Sequence, residues 1–339
     1  MSDKPLKMVT CPGCETKTFI PGDLLPLATV PCTKCGHPIM MPMTLRQFEL
    51  RSKIASGGMG VVYRAWDMTL ERLVAVKLMK KELLAEPQML ESFYLEARAC
   101  ARLNHTNIIH IYTFDEWQSE RYLVMEIADN GSLDGRIEKN HSVPELQVLD
   151  VAIKIASALD AALKHDLLHC DIKPGNILFN AENEPKLVDF GLARKADAEH
   201  EASEFTRGTP YYVAPEKIKR EPETFLSDMY SLGATLYHAV TGHVPFDAPT
   251  PDEVVQAHVY TPLTPANQVA GAPYISQETS DALSQALAKD PGDRFHNYDE
   301  FILSFERARS YLLQAQQAQA AGQPQSSSKR STSWWKRNK

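Results

Sequence analysis

Two pairs of closely spaced cysteines near the start of the chain have the spacing of a metal site. Cys11 and Cys14 form the first pair, Cys32 and Cys35 form the second, and seventeen residues separate the pairs. This C-x₂-C-x₁₇-C-x₂-C pattern lies in the range of structural zinc sites, where four thiolates close a tetrahedral shell. Iron and a redox-active dithiol are the alternatives. A closed shell has no open position, so the pattern indicates structural Zn²⁺ rather than a reaction centre.

A glycine-rich run at residues 55–60 could bind phosphate. Glycine lets backbone N–H groups come close to phosphate oxygens because no side chain intervenes. By itself, such a run is more often an ordinary turn. Lys77 follows in the apolar segment Val-Ala-Val-Lys, where a charge is costly unless it is paired. A lysine at a strand edge is the simpler interpretation of this position.

Three later motifs appear in a fixed order: HCDIKPGN at 169–176, DFG at 189–191 and APE at 214–216. Each is a weak signal, but together with the glycine run and Lys77 they match the signature set of protein kinases. From about residue 48 to 309 the chain resembles a bacterial, eukaryotic-like serine/threonine protein kinase, and residues 1–44 resemble a zinc ribbon. The resemblance implies an α+β fold, namely a two-lobed kinase preceded by a small Cys₄ ribbon.

The resemblance also implies the catalytic roles. Asp171 would be the base that receives the proton of the substrate hydroxyl, and Lys173 would steady the transferring phosphoryl group. Lys77 would grip the α- and β-phosphates of ATP and pair with Glu96. Thr209 would bond the aspartate and the lysine of the catalytic loop. A lysine followed by proline in this loop is similar to the serine/threonine rather than the tyrosine branch.

ATP with Mg²⁺ (or Mn²⁺) is the cofactor that the resemblance implies, with Asn176 and Asp189 as the metal ligands. Ala55 replaces the first glycine of the phosphate loop, for which we expect a modest loss of loop flexibility. Met125 matches the gatekeeper that precedes the hinge. The residues expected to bind ATP are Ile54, Ala55, Ser56, Gly57, Gly58, Met59, Gly60, Val62, Ala75, Lys77, Met125, Glu126, Ala128, Asn176, Leu178 and Asp189.

Cys170 is the main departure from the family pattern, because many kinases have arginine there. That arginine binds a phosphate on the activation loop, so we expect this chain to depend less on phosphorylation of Ser203 or Thr206. We expect Cys170 to be a small buried filler. Supporting roles implied by the resemblance are a spine of Cys100, Ile111, His169 and Phe190, a brace between Glu216 and Arg294, and Asp228 as holder of the catalytic loop.

The elements that must position these residues follow from hydrophobic periodicity. Residues 48–125 are predicted to be mainly strands with one helix at 88–103. The resemblance to kinases implies that 48–125 form the N-lobe, 126–132 the hinge and 133–309 the C-lobe. Its helices are expected from 144 to just before residue 169 and at 228–240, 279–288 and 299–320. Residues 310–339 are predicted to be a helical extension that ends in a disordered basic tail.

Composition limits the partners. The net charge of −7 is unlike that of a nucleic-acid binder, and we expect none. No apolar run is long enough to span a membrane, and the start lacks a signal core, so we expect a cytoplasmic protein. The expected partners are ATP, proteins with substrate Ser/Thr and a regulatory protein at the ribbon. Trp334 and Trp335 lie among basic residues, which gives a weaker prediction of membrane contact.

Two other functions are compatible with parts of this pattern. A pseudokinase scaffold would bind nucleotide and a partner without catalysis, and Ala55 and Cys170 favour it. The presence of all five key groups, namely Lys77, Glu96, Asp171, Asn176 and Asp189, argues for catalysis. A small-molecule kinase is disfavoured by the intact stretch 208–216, which forms the peptide-docking floor in protein kinases.

Overall fold

The computed structural model describes residues 6–58, 60–80, 94, 98, 101–190, 194–195 and 210–322. Several predictions lie outside the described residues. They concern Met59, Glu96, Cys100, Gly191, Ser203, Thr206, Thr209 and the tail at 323–339.

The N-terminal module consists of two antiparallel hairpins. Strands β1 (Leu6–Thr10) and β2 (Lys17–Pro21) form the first, and β3 (Thr29–Pro31) and β4 (Pro38–Met40) form the second. Its interior is small, consisting of Cys11, Cys32 and Ile39 with Val9, Cys14 and Val30 packed against them. So few apolar side chains cannot hold a fold without a staple.

An antiparallel sheet of six strands follows, in the spatial order β5-β6-β7-β8-β10-β9. The central strand β8 buries Val74, Ala75 and Val76 in succession, because both of its faces are covered. This places Lys77 inside an apolar strand, two residues before the strand ends at Met79. The strands are β5 (Met43–Leu45), β6 (Phe48–Ser56), β7 (Gly60–Asp67), β8 (Arg72–Met79), β9 (Ile111–Trp117) and β10 (Glu120–Met125).

The N-terminal module and this sheet share a core. Met40 of β4 belongs to the buried cluster of the sheet, and Leu27 and Met43 pack against that cluster. The boundary that the sequence suggested at residue 44 falls inside β5, which pairs with β6 through Met43↔Leu50 and Leu45↔Phe48. The described chain therefore passes from ribbon to sheet without a free linker.

Helices form the second lobe. Helix α2 buries Leu149, Ala152, Ala156 and Leu159, at spacings of three and four, against α4 and α7. No helix of the described chain is both long and apolar enough to cross a bilayer. The helices are α1 (Leu133–Asn140), α2 (Glu145–Leu163), α3 (Pro215–Ile218), α4 (Phe225–Thr241), α5 (Pro251–Tyr260), α6 (Gln277–Ala286) and α7 (Tyr298–Gly322).

Helix α4 has strong signals at both ends. Thr224 and Ser227 form a capping box at its start, which satisfies backbone N–H groups that have no partner inside the helix. Gly242 ends it with φ 76°, a conformation that glycine adopts without steric cost. The N-terminal cap places Asp228 in the first turn, where it points toward the loop at 169–176.

Short strands pack against the helices of the second lobe. β12 (Ile177–Phe179) and β13 (Pro185–Leu187) form a hairpin, and β11 (Leu167–Leu168) pairs with β14 (Arg194–Lys195). The loop at 169–176 leaves β11, and residues 188–190 leave β13. The N–H of Val188 donates to the carbonyl of Asn176 at 3.0 Å, which holds the two segments side by side.

Candidate active site and metal centre

The loop at 169–176 is held by one buried carboxylate. Asp228 accepts the N–H of His169 at 2.7 Å and that of Cys170 at 2.8 Å. Burial raises the pKa of Asp228, while His169 and the two backbone donors oppose that change. This is the contact expected for Asp228, and it makes the loop a rigid extension of α4.

Asp171, Lys173 and Asn176 form a tight cluster within this loop. The Nζ of Lys173 lies 2.6 Å from Oδ2 of Asp171. Asn176 donates its amide to the Asp171 carbonyl at 2.8 Å and to Oδ2 at 3.1 Å. The side-chain oxygen of Asn176 is then the atom that could bind a cation, and hard ions such as Mg²⁺ prefer oxygen ligands.

Two residues of the site have left-handed backbones. Cys170 has φ 65° and Asp189 has φ 68°. Such conformations are uncommon for residues other than glycine, and they cluster at functional sites. Cys170 is half-buried, not fully buried as expected for a filler.

Lys77 and Asp189 bring the two lobes together. The Nζ of Lys77 lies 3.9 Å from Oδ1 of Asp189. The predicted Lys77–Glu96 pair cannot be placed, because Glu96 is outside the described residues. His169 bonds the carbonyl of Val188 at 3.0 Å and its ring lies 4.6 Å from that of Phe190, which fixes the approach to Asp189.

Three of the residues predicted to enclose the adenine ring, Val62, Ala75 and Leu178, lie on β7, β8 and β12. Val62 pairs with Lys77, and Ala75 pairs with Met125. Leu178 of β12 bridges to Ser132, the last residue of the predicted hinge. The predicted phosphate-loop residues Ile54, Ala55, Ser56, Gly57 and Gly58 are exposed.

Gly60 has a steric reason to be glycine. A Cβ at this position would lie 2.6 Å from the carbonyl oxygen of Leu78 on β8. The N–H of Gly57 donates to the carbonyl of Gly60 at 2.9 Å. The phosphate loop is therefore a closed turn that starts from a close strand-to-strand contact.

One ion pair behind the hinge was not predicted. The carboxylate of Glu126 forms a salt bridge with Lys186 of β13, and its other oxygen accepts the N–H of His110 at 3.3 Å. Lys186 is buried. A lysine between apolar residues was the available signal, because a buried charge requires a partner.

A second buried pair braces the C-lobe, as expected. Arg294 donates to both carboxylate oxygens of Glu216, at 2.7 and 2.8 Å. Ser227 also donates to Glu216 at 2.7 Å. Burial favours a higher pKa for Glu216, but the hydrogen bonds and charge of Arg294 lower the pKa below its ordinary value.

The four N-terminal cysteines converge on one point. The Sγ atoms of Cys11 and Cys35 are 3.7 Å apart, those of Cys14 and Cys32 are 3.8 Å apart, and all four lie within 4.8 Å of one another. A tetrahedral metal with sulfur ligands at about 2.3 Å has sulfur–sulfur edges of about 3.8 Å. The cluster therefore has the dimensions of a tetrahedral thiolate site.

Each cysteine pair forms a tight turn that directs N–H groups at sulfur. The N–H of Gly13 donates to Cys11 Sγ and that of Lys34 to Cys32 Sγ, both at 3.4 Å. Hydrogen bonds from the side chain and backbone of Thr16 lower the pKa of Cys14 to about 6. These donors favour the thiolate, which is the form that binds metal. His37 is exposed, and its ring lies against Gly13.

Comparison with known proteins agrees with this geometry. The family model "Protein kinase domain" matches residues 48–301. The chain is 32% identical over 264 residues to "Probable serine/threonine-protein kinase" of Clostridium perfringens. The aligned region covers 78% of this chain and 38% of that relative. It is 31% identical to PknB of Mycobacterium leprae (78% and 43%) and 33% identical to PknA of Mycobacterium tuberculosis (75% and 59%).

The chain thus spans about two-fifths to three-fifths of the length of these curated relatives. The matched region contains both lobes and the loop with Asp171, and it excludes the ribbon. The predicted family and the α+β kinase fold are confirmed: this chain belongs to the protein kinase family.

Proposed function

We propose that this chain transfers the γ-phosphoryl group of ATP to serine and threonine hydroxyls of proteins. The observation that carries the proposal is the cluster of Asp171, Lys173 and Asn176 on a loop that Asp228 holds rigid. The relatives are named serine/threonine-protein kinases. Catalysis of this kind depends on positioning and charge neutralisation rather than on a covalent enzyme intermediate.

Each residue of the cleft has a separate task in this proposal. Asp171 accepts the proton of the substrate hydroxyl, and Lys173, whose Nζ lies 2.6 Å from that carboxylate, faces the transferred group. Lys77 offsets phosphate charge from the N-lobe side. Asp189 and Asn176 supply oxygens that would hold Mg²⁺, and the bound ATP–Mg²⁺ supplies the phosphoryl group. Glu96 and Thr209 keep the roles that the family pattern gives them.

Backbone and apolar groups would orient the nucleotide. Val62, Ala75 and Leu178 would enclose the adenine ring, and Glu126 and Ala128 would offer their backbone to its edge. The turn closed by Gly57 and Gly60 would approach the phosphates. We extend this assignment to the remaining predicted ATP residues, which are Ile54, Ala55, Ser56, Gly58, Met59 and Met125.

We propose that Cys11, Cys14, Cys32 and Cys35 hold structural Zn²⁺. Their sulfur–sulfur distances match a tetrahedral shell, and four thiolates leave no position for a substrate. Free thiols in this arrangement suit a reducing compartment, and we propose the cytoplasm.

A regulatory protein at the ribbon is also proposed. Met8 and Phe19 are cross-strand neighbours on the first hairpin, and Leu6 shares their face. All three are more than half exposed. Exposed apolar groups on one face mark an interaction surface.

Phosphoryl transfer from radiolabelled ATP with Mg²⁺ tests the proposed activity. The wild type is compared with Asp171→Asn, with and without a generic basic protein substrate. We expect phosphoserine or phosphothreonine with the wild type and a loss of at least about two orders of magnitude in the variant, since a general base contributes that much. A folded, ATP-binding wild type without transfer would instead support the pseudokinase scaffold.

A further inference from the structure

Lys217 of α3 reaches the catalytic loop from a separate element. Its Nζ donates to the carbonyl oxygen of Cys170 at 3.2 Å and lies 3.3 Å from Oε2 of Glu223. The lysine is half-buried and the Glu223 side chain is only 9% exposed. This ammonium group is therefore held in one position between a carboxylate and a backbone carbonyl.

The carbonyl that Lys217 binds belongs to the peptide unit that joins Cys170 to Asp171. Because a peptide unit is planar, fixing this oxygen fixes the orientation in which the chain enters Asp171. The other side of Cys170 is fixed as well, since its N–H donates to Asp228 at 2.8 Å. Between these two anchors Cys170 has φ 65°, a conformation that persists only when its surroundings determine it.

We propose that Lys217 is a positioning residue for the catalytic base. It holds the strained peptide before Asp171 so that the carboxylate faces Lys173 and the cleft. The proposal rests on the proposed kinase activity and adds a consequence for regulation. Cys170 itself carries no charge to anchor a loop phosphate, and the cation that steadies this loop comes instead from α3. The loop is thereby held without a modification.

Kinetics of three variants of the full-length chain test this role. Lys217→Met removes the ammonium group, Lys217→Arg keeps a positive donor, and Lys219→Met changes an exposed lysine on the same segment. We expect Lys217→Met to lower kcat by about tenfold or more, with the KM for ATP changed by less than about twofold. Lys217→Arg should recover most of kcat, and Lys219→Met should equal the wild type.

Hydrogen–deuterium exchange of the peptide that covers residues 167–172 gives a readout that does not require activity. Exchange there should be faster in Lys217→Met than in the wild type or Lys219→Met, with the melting temperature nearly unchanged. If the wild type is inactive but exchange still responds, the kinase proposal fails and the positioning role stands. Wild-type kcat and exchange in Lys217→Met would overturn the inference. The inference would also be overturned if Lys217→Met lost folding and ATP binding in general and Lys217→Arg did not restore them, because Lys217 would then have only a structural role.

Discussion

At the scale of single residues, the buried charges of this protein hold catalytic segments in place. Arg294 is almost fully buried. Its guanidinium donates hydrogen bonds to Glu216 and to the carbonyl oxygens of Leu226 and Ala288. Glu216 directly precedes Lys217, so this brace also fixes the helix that reaches the catalytic loop. An uncompensated charge at such a depth is costly, which makes the pair sensitive to loss of either partner.

Replacing Arg294 by methionine should therefore be strongly destabilising. The variant leaves the buried carboxylate of Glu216 without its cation, and breaking such a pair costs about 3–5 kcal/mol. Urea denaturation at neutral pH measures the change in unfolding free energy. Arg309→Met is the matched control, because its pair with Asp150 is 3.6 Å long and both side chains are 39% exposed. That control should cost less than about 1 kcal/mol; equal losses would contradict the prediction.

The Glu216–Arg294 pair should make the free energy of unfolding depend on pH, with less stabilisation at acidic pH. The pKa of Glu216 in the folded protein is below its ordinary value of 4.5, so the native state favours the ionised form. The stabilisation is fully present above pH 4.5 and is lost as the pH falls through the lower, folded-state pKa. The stability difference between wild type and Arg294→Met should accordingly shrink below pH 4.5. A difference that stays constant would mean that Glu216 does not titrate with the brace.

At the scale of elements, local signals predicted most of the framework. The helix expected at 228–240 starts three residues earlier, at Phe225, because Thr224 caps it. The helix expected at 279–288 is Gln277–Ala286, with the side chain of Ser276 accepting the N–H of Thr279. The predicted helix at 299–320 is part of α7, so the extension expected from 310 begins inside that helix. These shifts arise from capping, which moves helix ends by a few residues.

Contacts between distant segments were not predictable from local patterns. Lys217 and Cys170 are 47 residues apart along the chain. Lys186 lies on β13 and forms a salt bridge with Glu126, which follows β10. On α2, Ile153 is only partly buried, since the choice of buried face depends on α4 and α7. Candidate catalytic residues can be proposed from the sequence because their motifs have a fixed order, whereas packing partners follow no such motif.

The contact between β7 and β8 gives a prediction for the phosphate loop. Gly60→Ala places a methyl group 2.6 Å from the backbone of Leu78, so the strands must shift at a cost of about 1–3 kcal/mol. We expect a lower melting temperature and weaker ATP binding by calorimetry. Gly58→Ala is the control for the melting temperature, because nothing lies within 4 Å of its added Cβ. Equal changes in the two variants would show that the close contact is not what requires glycine at residue 60.

At the scale of the whole molecule, the ribbon and the N-lobe act as one packed unit. Met40 follows the second cysteine pair and enters the core of the sheet, where Phe48 and Leu50 of β6 also lie. β6 continues directly into the phosphate loop. Because interiors are close-packed and transmit strain, disorder at the cysteine cluster would reach the strand that precedes the glycine-rich turn, which we propose binds ATP.

Removal of the metal should consequently lower both the stability of the ribbon and the affinity for nucleotide. Chelation, or the double variant Cys11→Ser and Cys14→Ser, should lower stability by at least about 2 kcal/mol, because metal binding and folding are coupled in such sites. ATP affinity should fall with it and return when Zn²⁺ is restored to the chelated wild type.

Met40→Ser separates loss of the metal from loss of packing between ribbon and sheet, since it should keep the metal and still lose ATP affinity. Unchanged ATP binding in the chelated protein would show that the ribbon is an independent module. Wild-type binding in Met40→Ser would instead show that the coupling runs through the paired strands β5 and β6.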